Sequence, residues 1–593
     1  MNLRYRARWM ALLLLWPLIA AGNALKGYPS PYLAMHGEDQ IEWLPFGEDA
    51  LRKARETGRM IFLSSGYFAC HWCHVMHRES FRDAEVAKVL DANFVSVKID
   101  RELSPALDAT LMDFVERTRG QGGWPLQVIL TPEGEPLIGF TYLPRDRLLD
   151  VLRRLAGEWR RRPEELRRLA HAQVAELQPG IHPADRLPEA KRLRARLLEE
   201  AGRLADDFAG GFGHQSRFPM APQLEVLLRV LRDAPPEQHG THRKHLALTL
   251  SQMSGLGLRD HVNGGFFRYT VDPEWRHPHF EKMLYDNAQL AALYLRAGRA
   301  WKQPGWRAVG RETLDFLLER MAHPEGGFVA SLSAVDETGR EGGCYLWTKA
   351  ELETVLGKKG MAEARRLFRL ADADRIEGQW LIVPMGAGAY SDDARQREAL
   401  LERLRQARAD CRMPVDGKRL AGWNALALEA LCEGAREPAG EGGARYRQAA
   451  QAQFEFMRRH FVLPDGRLAR ARSGLRVLAA GDLEDYGLFA RALTRCGAVL
   501  PEAGRLAVAL VEQGLAQFLA DDGWRNPVRR LLPWVPDRPA LADESVPSVS
   551  AALIEAAQAT GAEVPVEKAL RLAAPVVEEA PFWYASHVPL FGE

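Results

Sequence analysis

The sequence predicts a multidomain protein in which an N-terminal α/β domain is followed by a larger all-α domain. Its 593 residues exceed what one hydrophobic core ordinarily organises. Short apolar strands alternate with helical patterns as far as about residue 160. Beyond residue 190 the patterns are mostly helical and are broken by turns that recur along the chain. The two halves therefore belong to different fold classes.

The composition is that of a globular protein, with 47% hydrophobic and 26% charged residues. The formal net charge is only +1, so the chain has no basic excess with which to neutralise phosphates. We therefore expect no nucleic-acid partner.

The first residues predict export. Three arginines precede an apolar run, residues 9–21, and small residues at 22–24 have the spacing that a signal peptidase recognises. An uncleaved anchor is the alternative, but a run of about 13 apolar residues is short for a span that needs roughly 20. We predict a signal peptide at residues 1–24 and a mature chain from Leu25, periplasmic or secreted and not membrane-spanning after cleavage.

The first domain, residues 25–178, shows the predicted order α-β-α-β-α-β-β-α. Its predicted elements are a helix at 49–56, a strand at 59–65, a helical pattern from Cys70 to Leu90, a strand at Phe94–Asp100, a helix at Pro105–Arg119, strands at 126–131 and 137–142, and a helix from about Arg145.

FACHWCHVM, residues 68–76, lies between the first strand and the following helix. A CxxCH pattern fits a thiol–disulfide pair, a c-type haem attachment or part of a zinc site. Its position at a helix start favours redox chemistry, because the helix N-terminus stabilises a thiolate. We predict Cys70 as the nucleophile and Cys73 as the resolving thiol. His71 and His74, when charged, would act in the same direction.

The rival chemistries have less support. Haem attachment needs a small haem-wrapping domain, whereas this motif lies inside a βαβ unit. A zinc site could use Cys70, Cys73, His74 or His77, but no second ligand pair is nearby in the sequence. We predict no metal and no cofactor, and a metal site or a purely structural disulfide stays open as an alternative. The other four cysteines, Cys344, Cys411, Cys432 and Cys496, are predicted to be buried small apolar side chains, with a structural disulfide as the alternative.

A Pro-rich segment, residues 179–190, has no apolar periodicity and is predicted to be a linker. In residues 191–593 the triplet Gly-Gly-Phe recurs at 210–212, 264–266 and 326–328. Steps of about 50 to 60 residues suit helical hairpins, and about six of them can close into an α/α toroid. An open helical solenoid is the alternative.

Polar residues concentrate at the predicted ends of these hairpins. The candidate substrate-binding residues are His279, Glu281, Tyr285, Asp286, Asp336, Asn424 and Asp485. Carboxylates beside aromatic rings suit a sugar, and paired acids or a histidine could support glycoside hydrolysis or epimerisation. Helix capping and ion pairing, for example between Lys282 and Asp286, explain the same residues without function.

Two longer strings, IFLSSGYFACHWCHVMHRESF and GGWPLQVILTPEGEPLIGFTYLP, together with HFEKMLYDNA and GWNAL, resemble the spermatogenesis-associated thioredoxin-like family over nearly the whole mature chain. The resemblance implies a thioredoxin-like domain with Pro125 as its cis proline, then an (α/α)6 toroid similar to six-hairpin glycosidases and 2-epimerases. It implies a fold and confers no activity. Ser64 stands where thioredoxin has a buried carboxylate, which puts thioredoxin-like proton transfer in doubt.

Two functions follow as hypotheses. The first is an exported thiol–disulfide oxidoreductase acting on protein thiols or disulfides, with Trp124 and Pro125 presenting the substrate. The second is a carbohydrate-active or carbohydrate-binding toroid, with the first domain serving as a docking module without catalysis. A scaffold that only binds protein partners is a third possibility.

Overall fold

The computed structural model describes residues 23–177, 183–233, 239–386, 392–521, 523–535 and 542–592. Apart from its last two residues, the predicted signal peptide lies outside these ranges, as do residues 178–182 at the predicted linker. Among the described residues, no helix combines the length and the apolar character needed to cross a bilayer.

The first domain is a five-stranded mixed sheet flanked by helices. Its elements are α1 (Pro31–Met35), β1 (Leu44–Pro45), α2 (Glu48–Thr57), β2 (Met60–Gly66), α3 (His71–Met76), α4 (Ala84–Asn93), β3 (Phe94–Asp100), α5 (Pro105–Arg119), β4 (Leu126–Leu130), β5 (Pro136–Phe140), α6 (Arg145–Arg161) and α7 (Pro163–Glu176). The strand order is β1-β3-β2-β4-β5, with β1, β3 and β2 parallel and the other two pairings antiparallel. This is a thioredoxin-like arrangement.

The central strands β2 and β3 are buried along their whole length, because helices cover both faces of the sheet. One predicted element differs: the helical pattern from Cys70 to Leu90 is broken. After α3 the backbone widens into a π-type turn, His77–Phe81, and Asp83 then starts α4 by accepting hydrogen bonds from the N–H groups of Glu85 and Val86. A capping aspartate inside a helical pattern was the available sign of this break.

The second domain is built mainly from helices. They are α8 (Ala190–Leu204), α9 (Ala221–Asp233), α10 (Gly240–Gly255), α11 (Leu284–Ala300), α12 (Pro304–Phe316), α13 (Lys349–Leu367), α14 (Asp392–Ala407), α15 (Ala421–Gly434), α16 (Gly443–His460), α17 (Leu483–Arg495), α18 (Gly504–Phe518), α19 (Val549–Thr560) and α20 (Glu563–Glu579).

Short strands lie in the loops between these helices. They are β6 (Tyr269–Thr270), β7 (Pro278–His279), β8 (Lys282–Met283), β9 (Ser331–Leu332), β10 (Leu346–Trp347), β11 (Arg375–Ile376), β12 (Gln379–Leu381), β13 (Val415–Asp416), β14 (Arg419–Leu420), β15 (Ala469–Ser473) and β16 (Arg476–Ala480).

The helices form a closed double ring. The inner ring runs through α9, α11, α15, α17 and α19, and the 3-10 segment Ala585–Phe591 closes it by contacting both α19 and α9. The outer partners are α8, α10, α12, α16, α18 and α20, while α13 and α14 form an insertion between α12 and α15. Every residue of α15 is buried, as expected for a helix covered on all sides. The second domain is an (α/α)6 toroid whose sixth inner helix is reduced to a short turn.

The recurring glycine turns follow the outer helices. In Gly264-Gly265-Phe266 and Gly326-Gly327-Phe328 all four glycines have φ between 75° and 97°, a region that residues with a Cβ rarely adopt. The side chain of Asn287 accepts the Phe266 N–H at 2.7 Å, and that of Asn424 accepts the Phe328 N–H at 2.8 Å. Each inner helix thus fixes the turn that precedes it.

The first domain covers the end of the toroid at which the inner helices begin. Lys418, just before α15, forms ion pairs with Asp100 at 2.9 Å and with Glu102 at 3.0 Å, and all three side chains are buried. On the other side of the first domain, Trp534 donates its Nε1–H to the Gly134 carbonyl at 2.6 Å. The two domains therefore share buried polar contacts at well-separated points.

All six cysteines are paired, which corrects the expectation for four of them. Cys344 pairs with Cys411 and Cys432 with Cys496, in addition to Cys70 with Cys73. Cys432 lies at the end of α15 and Cys496 directly follows α17, the next inner helix of the ring. Helical periodicity identifies the buried face of one helix but does not show which helix packs against it in the ring. The pairing of these two cysteines could therefore not be predicted from the sequence.

Candidate redox site at the domain junction

The Cys70–Cys73 disulfide lies where β2 gives way to α3. Cys70 is the residue before the helix, and its Sγ accepts the Cys73 N–H at 3.1 Å. Each cysteine is only 2% exposed. The pair is thus at a helix start, where the free N–H groups favour a thiolate on Cys70, but it is enclosed.

The neighbouring histidines differ from the expectation that they carry positive charge. Burial lowers the pKa of His74 to about 4, and its Nε2 lies 2.8 Å from the Phe68 carbonyl oxygen. Burial also lowers the pKa of His71. His74 is therefore a neutral imidazole at neutral pH and braces the loop before Cys70 through this hydrogen bond.

Beneath the disulfide, Ser64 accepts a hydrogen bond from the Lys98 ammonium at 3.0 Å. The Lys98 Nζ lies 4.1 Å from the ring centre of Phe81, 4.9 Å from that of Trp43 and 5.4 Å from that of Tyr32. Burial lowers the pKa of this lysine to about 7. Thioredoxin has a buried carboxylate in this region. Here the region instead holds Lys98, a cationic group that can exchange its proton near neutral pH. A lysine inside the apolar strand FVSVKID was the sequence sign of it.

Tyr32 and Cys73 meet against the backbone of Gly66. A Cβ atom at Gly66 would lie 2.8 Å from Cys73 Sγ and would also collide with Tyr32 Oη, so only glycine fits. Among the described residues, Tyr32 Oη has no hydrogen-bond partner although it is fully buried. It is therefore available to a thiolate at Cys73 after reduction.

Trp124 and Pro125 directly precede β4, which is the position that the sequence predicts for them. The Trp124–Pro125 peptide bond is cis. The indole N–H of Trp124 donates to Asp108 at 3.1 Å, and its ring lies 3.9 Å from the guanidinium carbon of Arg101 and 5.4 Å from that of Arg268. Since Arg268 belongs to the toroid, the ring of Trp124 lies between the two domains.

The toroid contacts the chain on both sides of Cys70. Tyr67 Oη donates to Glu281 Oε2 at 2.7 Å, and the His71 N–H points to Glu281 Oε1 at 3.4 Å. The Ala334 N–H donates to the carbonyl of Ala69, the residue directly before Cys70, at 3.2 Å. The loop that carries Cys70 is thereby fixed to the second domain.

A carboxylate joins two histidines across the same junction. Glu341 lies 2.6 Å from Nδ1 of His279 and 3.3 Å from Nδ1 of His71, and the two imidazole rings stack at 5.4 Å. Glu341 raises the pKa of His279 against the effect of burial. Sequence reasoning placed His279 in a sugar site and missed Glu341, which lies in a loop without a recognisable motif.

Tyr285 and Asp286 begin the inner helix α11 and are both buried. Within the described part of the chain, neither Tyr285 Oη nor Asp286 Oδ2 has a hydrogen-bond partner. Burial raises the pKa of Asp286 well above that of an ordinary carboxyl, opposed by the positive charge of Arg268. Nor does Asp286 pair with Lys282, whose ammonium is 2.7 Å from Asp260.

Three predicted site residues have structural roles instead. Asn424 holds the turn before α15, as described above. Asp485 accepts the Gly422 N–H at 3.0 Å and pairs with Arg470 at 3.1 Å. Asp336 closes its own loop by accepting the N–H groups of Thr338 and Arg340. These contacts account for the three residues without a ligand.

One cavity lies among the inner helices of the toroid. Glu429 binds Arg296 and Arg495 at 2.7 Å each and Arg491 at 3.2 Å, and the cavity above this network measures about 50 Å³. Such a volume has room for a few water molecules but not for a sugar ring.

One group of described residues combines side chains that ligate metals: His36, Asp39 and His77. Asp39 already accepts hydrogen bonds from His36 at 2.8 Å, His77 at 2.7 Å and the Trp43 indole at 3.0 Å. Burial and the charge of Lys98 lower the pKa of His36, and that charge would also repel a cation. The donor set fits a hydrogen-bonded triad better than a zinc site, which needs a fourth ligand.

Known proteins resemble this chain in both parts. A family model, Thioredox_DsbH, described as a protein of unknown function, DUF255, matches residues 22–178. Spermatogenesis-associated protein 20 of Rattus norvegicus is 32% identical over 527 residues, and that of Homo sapiens is 33% identical over 494 residues. These alignments cover 79% and 76% of this chain but only 66% and 62% of the relatives.

Among solved structures, a sugar epimerase from a ruminal bacterium aligns with 66% of this chain and 86% of its own, at 12% identity and a TM-score of 0.42. The sequence relationship is much closer to the spermatogenesis-associated proteins, and it extends from the thioredoxin-like domain into the toroid. The chain belongs to the spermatogenesis-associated protein 20-like family.

Proposed function

We propose that the chain is a thiol–disulfide oxidoreductase in which Cys70 and Cys73 are the reacting pair. The observation that carries the proposal is the Cys70–Cys73 disulfide at the start of α3, with Cys70 Sγ accepting the Cys73 N–H. Free N–H groups at a helix start lower the pKa of a thiol, which makes Cys70 the better nucleophile and the better leaving group.

In the reducing direction, the Cys70 thiolate attacks one sulfur of a substrate disulfide. A bond forms between Cys70 Sγ and that sulfur, the substrate S–S bond breaks, and the other substrate sulfur leaves as a thiolate and takes up a proton. Cys73, once deprotonated, attacks Cys70 Sγ, which restores the Cys70–Cys73 disulfide and releases the second substrate thiol. The oxidising direction uses the same bonds in reverse.

The surroundings of Cys73 support this chemistry. The orphaned hydroxyl of Tyr32 can donate a hydrogen bond to the Cys73 thiolate, and Lys98, with its pKa lowered to about 7, is a nearby group that can take or give a proton. A lysine and a tyrosine would then perform the task of the carboxylate that Ser64 replaces.

We also propose that the protein works outside the cytoplasm. The arginine-led apolar leader has the form of a signal peptide, and three disulfides in one chain suit an oxidising compartment. Cell fractionation of a tagged chain should find it in the periplasm or the medium, processed near Leu25; full-length protein in the cytosol would refute this.

A carbohydrate-active toroid is the second candidate, favoured by one observation, the unpartnered buried acid Asp286. Glycoside hydrolysis needs two carboxyl groups facing one substrate. Of the other acids predicted for this role, Asp336 and Asp485 are held by structural hydrogen bonds and Glu281 is bound to Tyr67. The redox function has the stronger support.

The redox proposal is tested by single-turnover oxidation of dithiothreitol by the purified, oxidised chain. The wild type should consume one equivalent rapidly, while Cys70→Ser should show no rapid phase. The matched control is the double variant Cys344→Ser with Cys411→Ser, which should keep the rapid phase. A rapid phase that survives Cys70→Ser, or none in the wild type, would reject the proposal.

A further inference from the structure

The backbone around Cys70 is not free to receive a polypeptide. Glu281 binds the residues at positions 67 and 71, and the Ala334 N–H occupies the carbonyl of Ala69. A protein substrate would have to lie along this same stretch to present a disulfide to Cys70. The toroid occupies that place, which points to a reacting partner small enough to enter between the domains.

The junction holds a set of buried polar atoms that lack partners. They are Nε of Arg268, Oη of Tyr285 and Oδ2 of Asp286, and none has a hydrogen-bond partner within the described ranges. The three side chains are 3%, 2% and 5% exposed. Buried polar groups are almost always paired, so three unpaired groups in one place indicate a bound molecule. We call these three residues the junction site.

The junction site adjoins the redox pair. Glu281 Oε2 lies 3.6 Å from Arg268, and its other oxygen faces the N–H of His71, the residue after Cys70. The Arg268 guanidinium carbon is 5.9 Å from the Tyr285 ring centre and 5.0 Å from that of Tyr67. Trp423 closes the far side, with its ring 4.6 Å from that of Tyr285.

Glu544 lies at the boundary of the two domains, where Arg101 and Asp108 of the first domain and Glu484 of the second act on its carboxyl. The residue is exposed to solvent. A small molecule that reaches the junction site would enter from this side.

The unpaired atoms define what such a molecule must carry. Arg268 Nε–H and Tyr285 O–H are donors, so they require an acceptor, which a carboxylate supplies best next to a guanidinium. Asp286 Oδ2 requires a donor, and an ammonium group supplies both the donor and the positive charge that favours the ionised carboxylate against the effect of burial. A carboxylate and an ammonium on neighbouring atoms make an α-amino acid group.

We propose that the junction site binds the α-amino acid group of a small disulfide or thiol and presents its sulfur to Cys70. This proposal rests on the redox function proposed above. The exchange follows the same bond changes, with cystine as the simplest disulfide of the class: its S–S bond breaks, two cysteine thiols are released, and the dithiol Cys70 and Cys73 becomes the disulfide.

Binding can be measured apart from chemistry in the full chain carrying Cys70→Ser and Cys73→Ser, titrated with L-cystine by calorimetry. Cystamine, which lacks the carboxylates, and 3,3′-dithiodipropionate, which lacks the ammonium groups, are matched disulfides. We expect cystine to bind at least about 10-fold more tightly than either, because each of the other two lacks the group that one of the charge-assisted contacts requires.

Variants in the same background assign the contacts. Asp286→Asn should weaken cystine binding about 10-fold or more, Tyr285→Phe removes only the hydroxyl and should also weaken it, and the exposed Asp465→Asn should leave it unchanged. If Asp286→Asn does not fold, Tyr285→Phe carries the comparison. No cystine binding, equal binding of all three disulfides, or binding of a sugar in their place would overturn the proposal.

The two proposals can fail separately. A wild-type chain that exchanges with dithiothreitol while its double serine variant ignores cystine would keep the redox function and reject the junction site. Cystine binding by the double serine variant, with no rapid phase in the wild type, would keep the junction site and reject the redox function.

Discussion

Tyr67, three residues before Cys70 in the first domain, donates its hydroxyl hydrogen to Glu281 of the toroid at 2.7 Å. Glu281 also faces the N–H of His71 and the guanidinium of Arg268. The same carboxylate therefore fixes the redox loop from both sides and neutralises a buried arginine. The toroid is part of the environment of the redox pair and not a separate module.

Removal of Glu281 should destabilise the whole chain. Glu281→Ala leaves Arg268 buried without its carboxylate, and the loss of one member of a buried ion pair costs about 3–5 kcal/mol. Denaturant unfolding measures the change. The matched control is Asp465→Ala, which breaks an exposed pair with Arg467 and should change nothing measurable. Equal effects of the two variants would show that the junction contact contributes little.

Lys98 should make stability depend on pH. Its pKa is lowered to about 7 by burial, whereas an unfolded chain keeps a lysine proton to about pH 10.4. Between these two pH values the unfolded state binds more protons than the folded state, so the contribution of Lys98 to the free energy of unfolding rises with pH. Below about pH 7 this contribution no longer changes with pH. Compared with Lys98→Met, the wild type should gain stability from pH 7 to pH 9.5, and parallel pH profiles would contradict this.

Asn424 should matter for stability and not for chemistry. Asn424→Ala leaves the buried Phe328 N–H unpaired, at a cost of about 1–3 kcal/mol. Asn287→Ala removes the equivalent contact with Phe266 and should cost a similar amount. Both variants should oxidise dithiothreitol at the wild-type rate once folded. A variant of Asn424 that keeps its stability but loses the reaction would restore its predicted role in the site.

The Cys344–Cys411 disulfide closes a loop between two cysteines that are 67 residues apart in the sequence. In the chain-entropy model a loop of this size stabilises the folded state by about 4 kcal/mol. Replacing both cysteines with serine should therefore lower the unfolding midpoint clearly, with the rapid redox phase intact. An unchanged midpoint would show that this pair does not form in the folded protein.

The sequence was sufficient to predict the features that depend on residues close to one another in the chain. Gly58, Pro105 and Gly120 mark helix ends, and the buried strand Phe94–Asp100 is evident from its apolar run, so the thioredoxin-like order of elements could be predicted. The closed ring followed from the repeated glycine turns together with the family resemblance. Cys70 could be named as the candidate nucleophile because a CxxC motif before a helix is typical of a thiol–disulfide pair.

What escaped prediction depends on contacts between distant parts of the chain. Nothing local in the sequence places Glu281 beside Tyr67, Glu341 between two histidines or Cys432 beside Cys496. The roles of Asn424 and Asp485 could not be read from the sequence, because a polar residue at a helix start looks the same whether it holds a turn or binds a ligand. Lys98 was overlooked, although a lysine in an apolar strand requires a partner.

The most direct test of the central claim is the redox equilibrium of Cys70 and Cys73 in the full-length chain. The protein is equilibrated with mixtures of reduced and oxidised glutathione, alkylated, and analysed by mass spectrometry of the peptide that contains residues 60–82. We predict a reversible two-electron transition of this pair, while the disulfides Cys344–Cys411 and Cys432–Cys496 stay oxidised. A Cys70–Cys73 disulfide that remains oxidised in every mixture would contradict the account.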